Sequence, residues 1–447
     1  MTDEQKADIK KALTKISRQR LDLEDYYKYY KGEHRLNFAS SKFRNKFGAR
    51  LQSLKDNLCK SVVNAPVSRL EVINFADEQA DITEKAWSVW KANSMPLQAK
   101  SVHREAFRAG YSFVIVWQDL ATKKAKIDIQ KSHSVCLFES EESNLVSMGA
   151  KVWMENEMWF LTLYYPDRIE KFVTVKKSKD FPTKPESFVE RGDGETWKVE
   201  NPFKLVPVFK FSATEDLSIL DEVIPLNDAL NKTFCDLMVG GEYNSIRQRF
   251  TAGIQYEKDE ETGKPIIPYE HDDQVWSSES DTAKFGEFSD VELEQFLKTA
   301  DSIRQEIARV TGIPAHYFNL NTGDFPSGEA LRTAEARFIS LIEEAQLSFG
   351  ETWSKVIQFC LQIENDAPDA QIEVQWRDAA PTSESEKLTN ALAKQQLGLS
   401  AEIYLAELGY TEQQIVDSLN KQAEKQASLG ESLGKIFDGG LNAETVN

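Results

Sequence analysis

At 447 residues and 41% hydrophobic content, the chain can hold about two to four domains with real cores and is too apolar to be disordered. Its net charge of −18 argues against a protein that reads a nucleic-acid groove, which shows a basic patch; it does not exclude one that DNA must slide past, since an acidic wall repels phosphate, but composition alone favours a plain role in solubility. No apolar run approaches the ~18 residues of a membrane span, and the charged start Met1-Thr2-Asp3-Glu4 lacks a signal-peptide core, so an intracellular, soluble, non-membrane product is expected.

Residues 4–31 read as one amphipathic helix. Its stripe is Ile9, Leu13, Ile16, Leu23, Tyr27 and Tyr30, with Arg20 interrupting, and Gly32 is its stop. The cluster Tyr26 to Tyr30 reads as core plus interface. A second helix fits 49–64, with Leu51, Leu54, Leu58 and Val62 in register, and a helical pair broken near Pro96 fits 81–109. The period then changes to short β-rich runs at 111–117, 127–138, 148–155, 158–165 and 168–176, with Pro166-Asp167 as a turn. Residues 177–201 read as a loop or weak hairpin, and 201–209 lead back to helix. The first 215 residues are therefore expected to form one α+β domain.

A helix, a small insert, a helix, a tight loop and a very long helix follow. The first carries Ile219, Val223, Leu226, Leu230, Phe234 and Leu237 on one face. The insert, 250–288, is too small for a robust core of its own. The second helix carries Leu293, Phe296, Ala300, Ile303, Ile307 and Val310, with a capping box predicted at Ser289 and Glu292 and an end at Gly312 and Pro314. The third follows Ser327-Gly328 and places Ala334, Phe338, Leu341, Ala345, Phe349, Trp353, Val356, Cys360 and Ile363 on one face. It spans about 36 residues, or about 54 Å. A strand at 371–376, helices opened by Ser383 with Glu386, by Ser400 and by Thr411 with Gln414, and a glycine-bearing tail beyond 425 complete the chain.

Chemistry-bearing motifs are sparse. Gly263-Lys264-Pro265 lacks the spacing and the hydroxyl of a phosphate-binding loop. His34, His103, His133, His271 and His316 are scattered, with none at ligand spacing to another His or Cys, so neither metal nor cofactor is expected. Cys59, Cys136, Cys235 and Cys360 contain no CxxC pair and read as small buried hydrophobes. His271-Asp272-Asp273 and Asp259-Glu260-Glu261 read as exposed polar loop, and Glu343-Glu344 as a solvated helix face.

Several fragments, in this order, resemble the portal proteins of tailed double-stranded DNA bacteriophages of the long-tailed type. They are Tyr29-Tyr30-Lys31-Gly32-Glu33-His34, Ala109-Gly110-Tyr111, Tyr165-Pro166-Asp167-Arg168, Leu205-Val206-Pro207-Val208-Phe209, Pro225-Leu226-Asn227-Asp228-Ala229-Leu230-Asn231, Gly312-Ile313-Pro314 and Ser327-Gly328-Glu329-Ala330-Leu331. The resemblance implies an elongated α+β subunit: wing 1–215, stem helices 216–249 and 289–312, clip 250–288 and tunnel loop 313–327. A long helix with a return strand over 328–378, a helical crown over 379–425 and a mobile tail over 426–447 complete the plan. It implies a non-enzymatic channel in a closed ring of about twelve copies at a capsid vertex of the virion, assembled in the host cytoplasm. Double-stranded DNA would pass through without sequence readout. The terminase large subunit, then head–tail adaptors, would dock on it, and major capsid and scaffolding proteins would surround it. In the loop, Asn319, Asn321, Thr322 and Asp324 are candidates to touch DNA, with a plain turn as the competing reading. Arg247 and Arg249 are candidates to face the channel, against a surface ion pair. Two other functions remain open: another ring-forming head–tail connector or tail component, which would lack the long helix, and a metal-dependent nuclease or hydrolase, which a divalent-metal assay would expose.

Overall fold

The first helix, α1 (Asp3–Lys31), is opened by a complete capping box between Thr2 and Gln5 and closed by Gly32 in the left-handed region at φ 74°. The computed structural model describes residues 1–35, 56–119, 121–140, 145–192, 197–213, 215–245, 249–253, 258–264, 281–289, 292–318, 328–365, 371–380 and 384–398, and a few residues between 401 and 421. Within it, the side chains of 243, 249, 328–332, 334 and 384–387 are not described. The chain divides into two compact units, Met1–Ala379 and Ala380–Asn447.

After α1 come α2 (Cys59–Arg69), β1 (Val72–Ala76), α3 (Ala80–Ala92) and α4 (Met95–Ala109). Leu51 and Leu54 lie outside the described residues. The expected helix at 49–64 is corrected at both sides. The backbone at 56–58 is tied to Asn227 and Asn231, so α2 starts only at Cys59, and it runs on across Pro66 to Arg69. The pair α3/α4 breaks at Asn93-Ser94, and Pro96 sits in the first turn of α4, where a missing N–H costs nothing.

The β-rich stretch gives β2 (Tyr111–Gln118), β3 (Ala125–Gln130), β4 (Val135–Glu139), β5 (Val146–Glu155), β6 (Met158–Tyr164), β7 (Arg168–Thr174), β8 (Phe188–Glu190), β9 (Lys198–Glu200) and β10 (Val208–Ser212). The run expected at 127–138 is thus two strands, divided by a turn at 131–134. One antiparallel sheet has the order β10-β2-β3, with Phe209 opposite Val114. The other runs β4-β5-β6-β7-β8, and β9 also pairs with β7, so 188–200 supplies two edge pieces and not a hairpin of its own. The stripe of α1 lies on this second sheet: Ile9, Leu13 and Ile16 form a core with Ala150, Val152, Leu161 and Leu163.

The helical half contains α5 (Val223–Ser245), β11 (Arg249–Ala252), β12 (Lys284–Glu287), α6 (Leu293–Thr311), α7 (Gly328–Glu364) and β13 (Glu373–Trp376). Helix α5 starts after Ile219, whose N–H is taken by the Phe107 carbonyl. The capping box expected at Ser289 does not form. Phe288 packs on Phe250 across the β11/β12 ladder, ring centroids 5.2 Å apart, and the helix begins at Leu293 with Glu292 as its cap residue. Gly312 closes α6 at φ 71°. Strand β13 pairs with β1, Phe75 opposite Val374. The pairing was not anticipated, because β1 is five residues long and flanked by Glu71 and Asp77.

Helix α7 is the centre of the main core. Phe338, Ile342, Phe349, Trp353, Val356 and Cys360 are all fully buried, and each large apolar side chain contributes about 1.5–3 kcal/mol by leaving water. Trp353 meets Trp90 edge-on at 4.8 Å and donates its Nε1–H to His103 Nε2 at 2.9 Å. In the second unit, α8 (Glu384–Gln396) buries Ala391, and Gly398 follows at φ 78°.

Candidate channel and assembly site

The residues expected to touch DNA fall where the structure is silent. Asn319, Asn321, Thr322, Asp324 and Arg247 lie outside the described residues, and Arg249 is described only as backbone, at the start of β11. What the structure defines is how the two ends of the 313–327 segment are held.

At its first end, Ile313 is buried and a 3-10 turn covers Ala315–Tyr317. This turn is clamped by a polar cluster. Glu335, on the second turn of α7, is 2% exposed. Both its oxygens accept from Arg69 Nη2 at 3.3 Å, and His316 Nε2 stands 3.5 Å from one of them. Arg69 also donates to the Tyr317 hydroxyl at 2.7 Å and, through Nη1, to the Ala379 carbonyl at 3.0 Å. Its guanidinium lies over the Phe338 ring, 5.6 Å from the centroid. A buried carboxylate is tolerable only with such a set of donors. The cluster ties the end of α2, the turn and the start of α7 together. Sequence reading missed it, although an acid three residues before Phe338, on the apolar face of a long helix, was a usable signal. Arg337 adds a second tie from α7 to α6, donating to the Arg309 carbonyl at 2.7 Å.

The base of the helix pair is equally specific. Helix α5 packs against α6 and presents a buried polar face. The Asn227 side-chain oxygen accepts from Leu58 N at 3.0 Å. Asn231 accepts from Asp56 N and donates to Asp56 O, both at 3.0 Å. Asp228 accepts from the Tyr29 hydroxyl at 2.8 Å, and the Tyr29 ring stacks on His34 at 4.2 Å. Two sequence fragments nearly two hundred residues apart, 29–34 and 225–231, therefore meet. Arg304 of α6 joins them through Asp56 at 3.3 Å. Burial and the Asp228 carboxylate push the Tyr29 hydroxyl up, so it stays a proton donor.

Among the described residues no three His, Cys, Asp or Glu side chains are placed to hold a metal ion. The four cysteines are buried and free, and burial pushes the Cys59 and Cys136 thiols up to about 12, which leaves them protonated and inert. His103 is pushed down to about 3 by burial, then by Lys100, and remains a neutral acceptor within the core. The defined features are joints between helices, and joints are what an architectural subunit needs.

A family profile described as "Phage portal protein, SPP1 Gp6-like" matches residues 9–429, a span that reaches into both compact units. The chain belongs to the phage portal protein family. The portal protein of Mycobacterium phage L5 is 25% identical over 413 residues, covering 84% of this chain and 80% of that relative. The portal protein of Mycobacterium phage D29 is 23% identical over 414 residues, covering 83% and 81%. Membership in the portal family makes the chain a structural component of the phage head, associated with the capsid, with the mixed α+β architecture described above.

Proposed function

We propose that the chain forms a closed ring of about twelve copies at one capsid vertex, whose central channel passes DNA inward during packaging and outward at ejection. On this reading 1–215 is the wing, 216–249 and 289–312 the stem, 250–288 the clip, 313–327 the tunnel loop and 379–425 the crown. The terminase large subunit docks at the clip and supplies the energy. Head–tail adaptors replace it later, and the chain itself performs no catalysis. Asn319, Asn321, Thr322 and Asp324 touch passing phosphates weakly, and Arg247 and Arg249 face the channel. Weak contacts without base readout suit DNA that must move in both directions.

The observation that carries this reading is the family match over 9–429 on a chain whose α5, insert, α6, loop and 37-residue α7 follow one another in that order. The same order speaks against a head–tail connector without a packaging role, which has no need of an α7 spanning about 55 Å. Light scattering combined with negative-stain imaging of the purified protein tests it. Rings of about twelve copies with a central hole support the reading. A stable monomer or dimer at high concentration, or a divalent-metal-dependent nuclease activity, overturns it.

A further inference from the structure

Arg20 breaks the apolar stripe of α1, and the reason is visible in its surroundings. Its guanidinium lies over two aromatic rings, 5.5 Å from the Trp159 centroid and 5.0 Å from that of Phe181. Among the described residues it has no carboxylate and no hydrogen-bond partner. Burial alone acts on it and lowers its pKa from the ordinary value, with no acid opposing. An arginine partly withdrawn from water without an anion is a cost to the single chain. The bases around it are engaged: Lys28 with Glu24 at 2.7 Å and Lys31 with Glu33 at 3.9 Å.

Arg20 also stands at the wall of open space. A cavity of about 480 Å³ is bounded by Arg20, Leu21, Tyr27, His133 and Phe181. A second, of about 530 Å³, adjoins it through Phe181 and is bounded by Trp159 and Val175. Leu21 is 70% exposed and Val175 59% exposed, so an apolar side chain stands in each wall, open to solvent. An arginine resting on two aromatic rings that themselves meet edge to face, with apolar flanks, is the composition of an interface anchor and not of a plain surface.

We propose that Arg20 and the groove around Phe181 form a socket for a carboxylate side chain of a second copy of this chain. This rests on the ring reading above and adds to it a specific contact that the single subunit leaves incomplete. The guanidinium rests on two rings but has no protein acceptor among the described residues, and its planar fork matches a carboxylate through two parallel hydrogen bonds. The occupant follows from charge. The chain has 72 acidic against 54 basic side chains, so a second copy brings carboxylates in excess. Glu24 and Glu33 in the same wall oppose a polyanion such as nucleic acid more than a single carboxylate.

The test uses Arg20→Lys, which keeps the charge and provides an amine for zero-length carbodiimide coupling. Isotope-labelled and unlabelled copies of the full chain are mixed, assembled, coupled and digested. The expected product joins position 20 of one copy to an Asp or Glu of another, seen as mixed-isotope pairs. In parallel, Arg20→Met should raise the concentration needed for half assembly about tenfold and flatten its salt dependence, while its urea midpoint as a single chain stays near wild type. Coupling confined to one chain, coupling only after another head protein is added, or wild-type assembly of Arg20→Met overturns the socket. Failure of the wild-type chain itself to assemble overturns the ring reading, and the second copy as occupant with it.

Discussion

Helices α6 and α7 are both long and both striped, yet they are finished to different degrees. Along α7 the stripe residues from Phe338 to Ile363 are buried, apart from a half-buried Leu341. Along α6 only Ala300 and Ile307 are buried; Leu293, Phe296, Ile303 and Val310 remain half-covered, and neighbouring Leu297 is 48% exposed. On its partner α5, Met238 is 49% exposed. The single chain therefore satisfies α7 and leaves the α5/α6 pair with apolar surface to spare. A helix packed on all its apolar positions is a scaffold; one packed on half of them has room for another molecule.

The sharpest way to break this comparison is at α7. Trp353→Ala should cost about 3–5 kcal/mol, because it opens a cavity among Trp90, Phe211 and Phe349 and strands the His103 acceptor. The urea midpoint of the single chain reads this. A loss within about 0.5 kcal/mol would mean that α7 is not the core it looks to be.

The clamp at the start of α7 comes next. Glu335→Gln keeps an acceptor for Arg69 but removes the charge, and about 2 kcal/mol should be lost. Hydrogen exchange at 315–318 should quicken, because the turn loses its tie through Arg69 to Tyr317. Unchanged exchange there would show the cluster to be incidental.

The acid dependence of the core has a definite sign. His103 has a folded pKa of about 3 against an ordinary value of 6.5, so the neutral form is the one that fits. Its contribution is complete above about pH 6.5 and is lost as the pH falls from there toward 3. Between pH 7 and pH 5 the wild type should lose about 2 kcal/mol from this group, a loss absent from His103→Gln. His133, lowered to about 4 chiefly by burial, adds in the same direction. Equal pH slopes for wild type and His103→Gln would remove the assignment.

The smallest effect on the single chain is the most informative about α5 and α6. Met238→Ser and Leu297→Ser should each leave the urea midpoint within about 0.5 kcal/mol, since both side chains are already half in water. The same variants should weaken assembly, read by light scattering against concentration.

The sequence made the helical plan legible because it rests on period. Helix α7 was bounded within a residue from Ser327-Gly328 and its repeating apolar positions, and α1 from its apolar stripe and Gly32. Long-range pairing was not legible. Strand β1 has too few residues to show a pattern, and its partner β13 lies almost three hundred residues away. The start of α6 was misplaced because Ser289 has the local chemistry of a cap, while Glu292 is extended and Phe288 packs on Phe250, a contact made across the ladder. The Arg69–Glu335 clamp and the guanidinium of Arg20, unpaired among the described residues, share that origin. Each is a charge within an apolar stripe, and only the fold shows which one finds a partner.

The measurement that bears most directly on the account is hydrogen exchange of the purified chain, compared between its single and assembled forms. Backbone amides of α6, from Leu293 to Thr311, and of α5 around Met238 should slow on assembly, while those of α7 from Phe338 to Ile363 stay unchanged. Equal protection of α5 and α6 in both forms, or new protection confined to α7, would contradict the claim that the surface left over by the single chain is the one its copies cover.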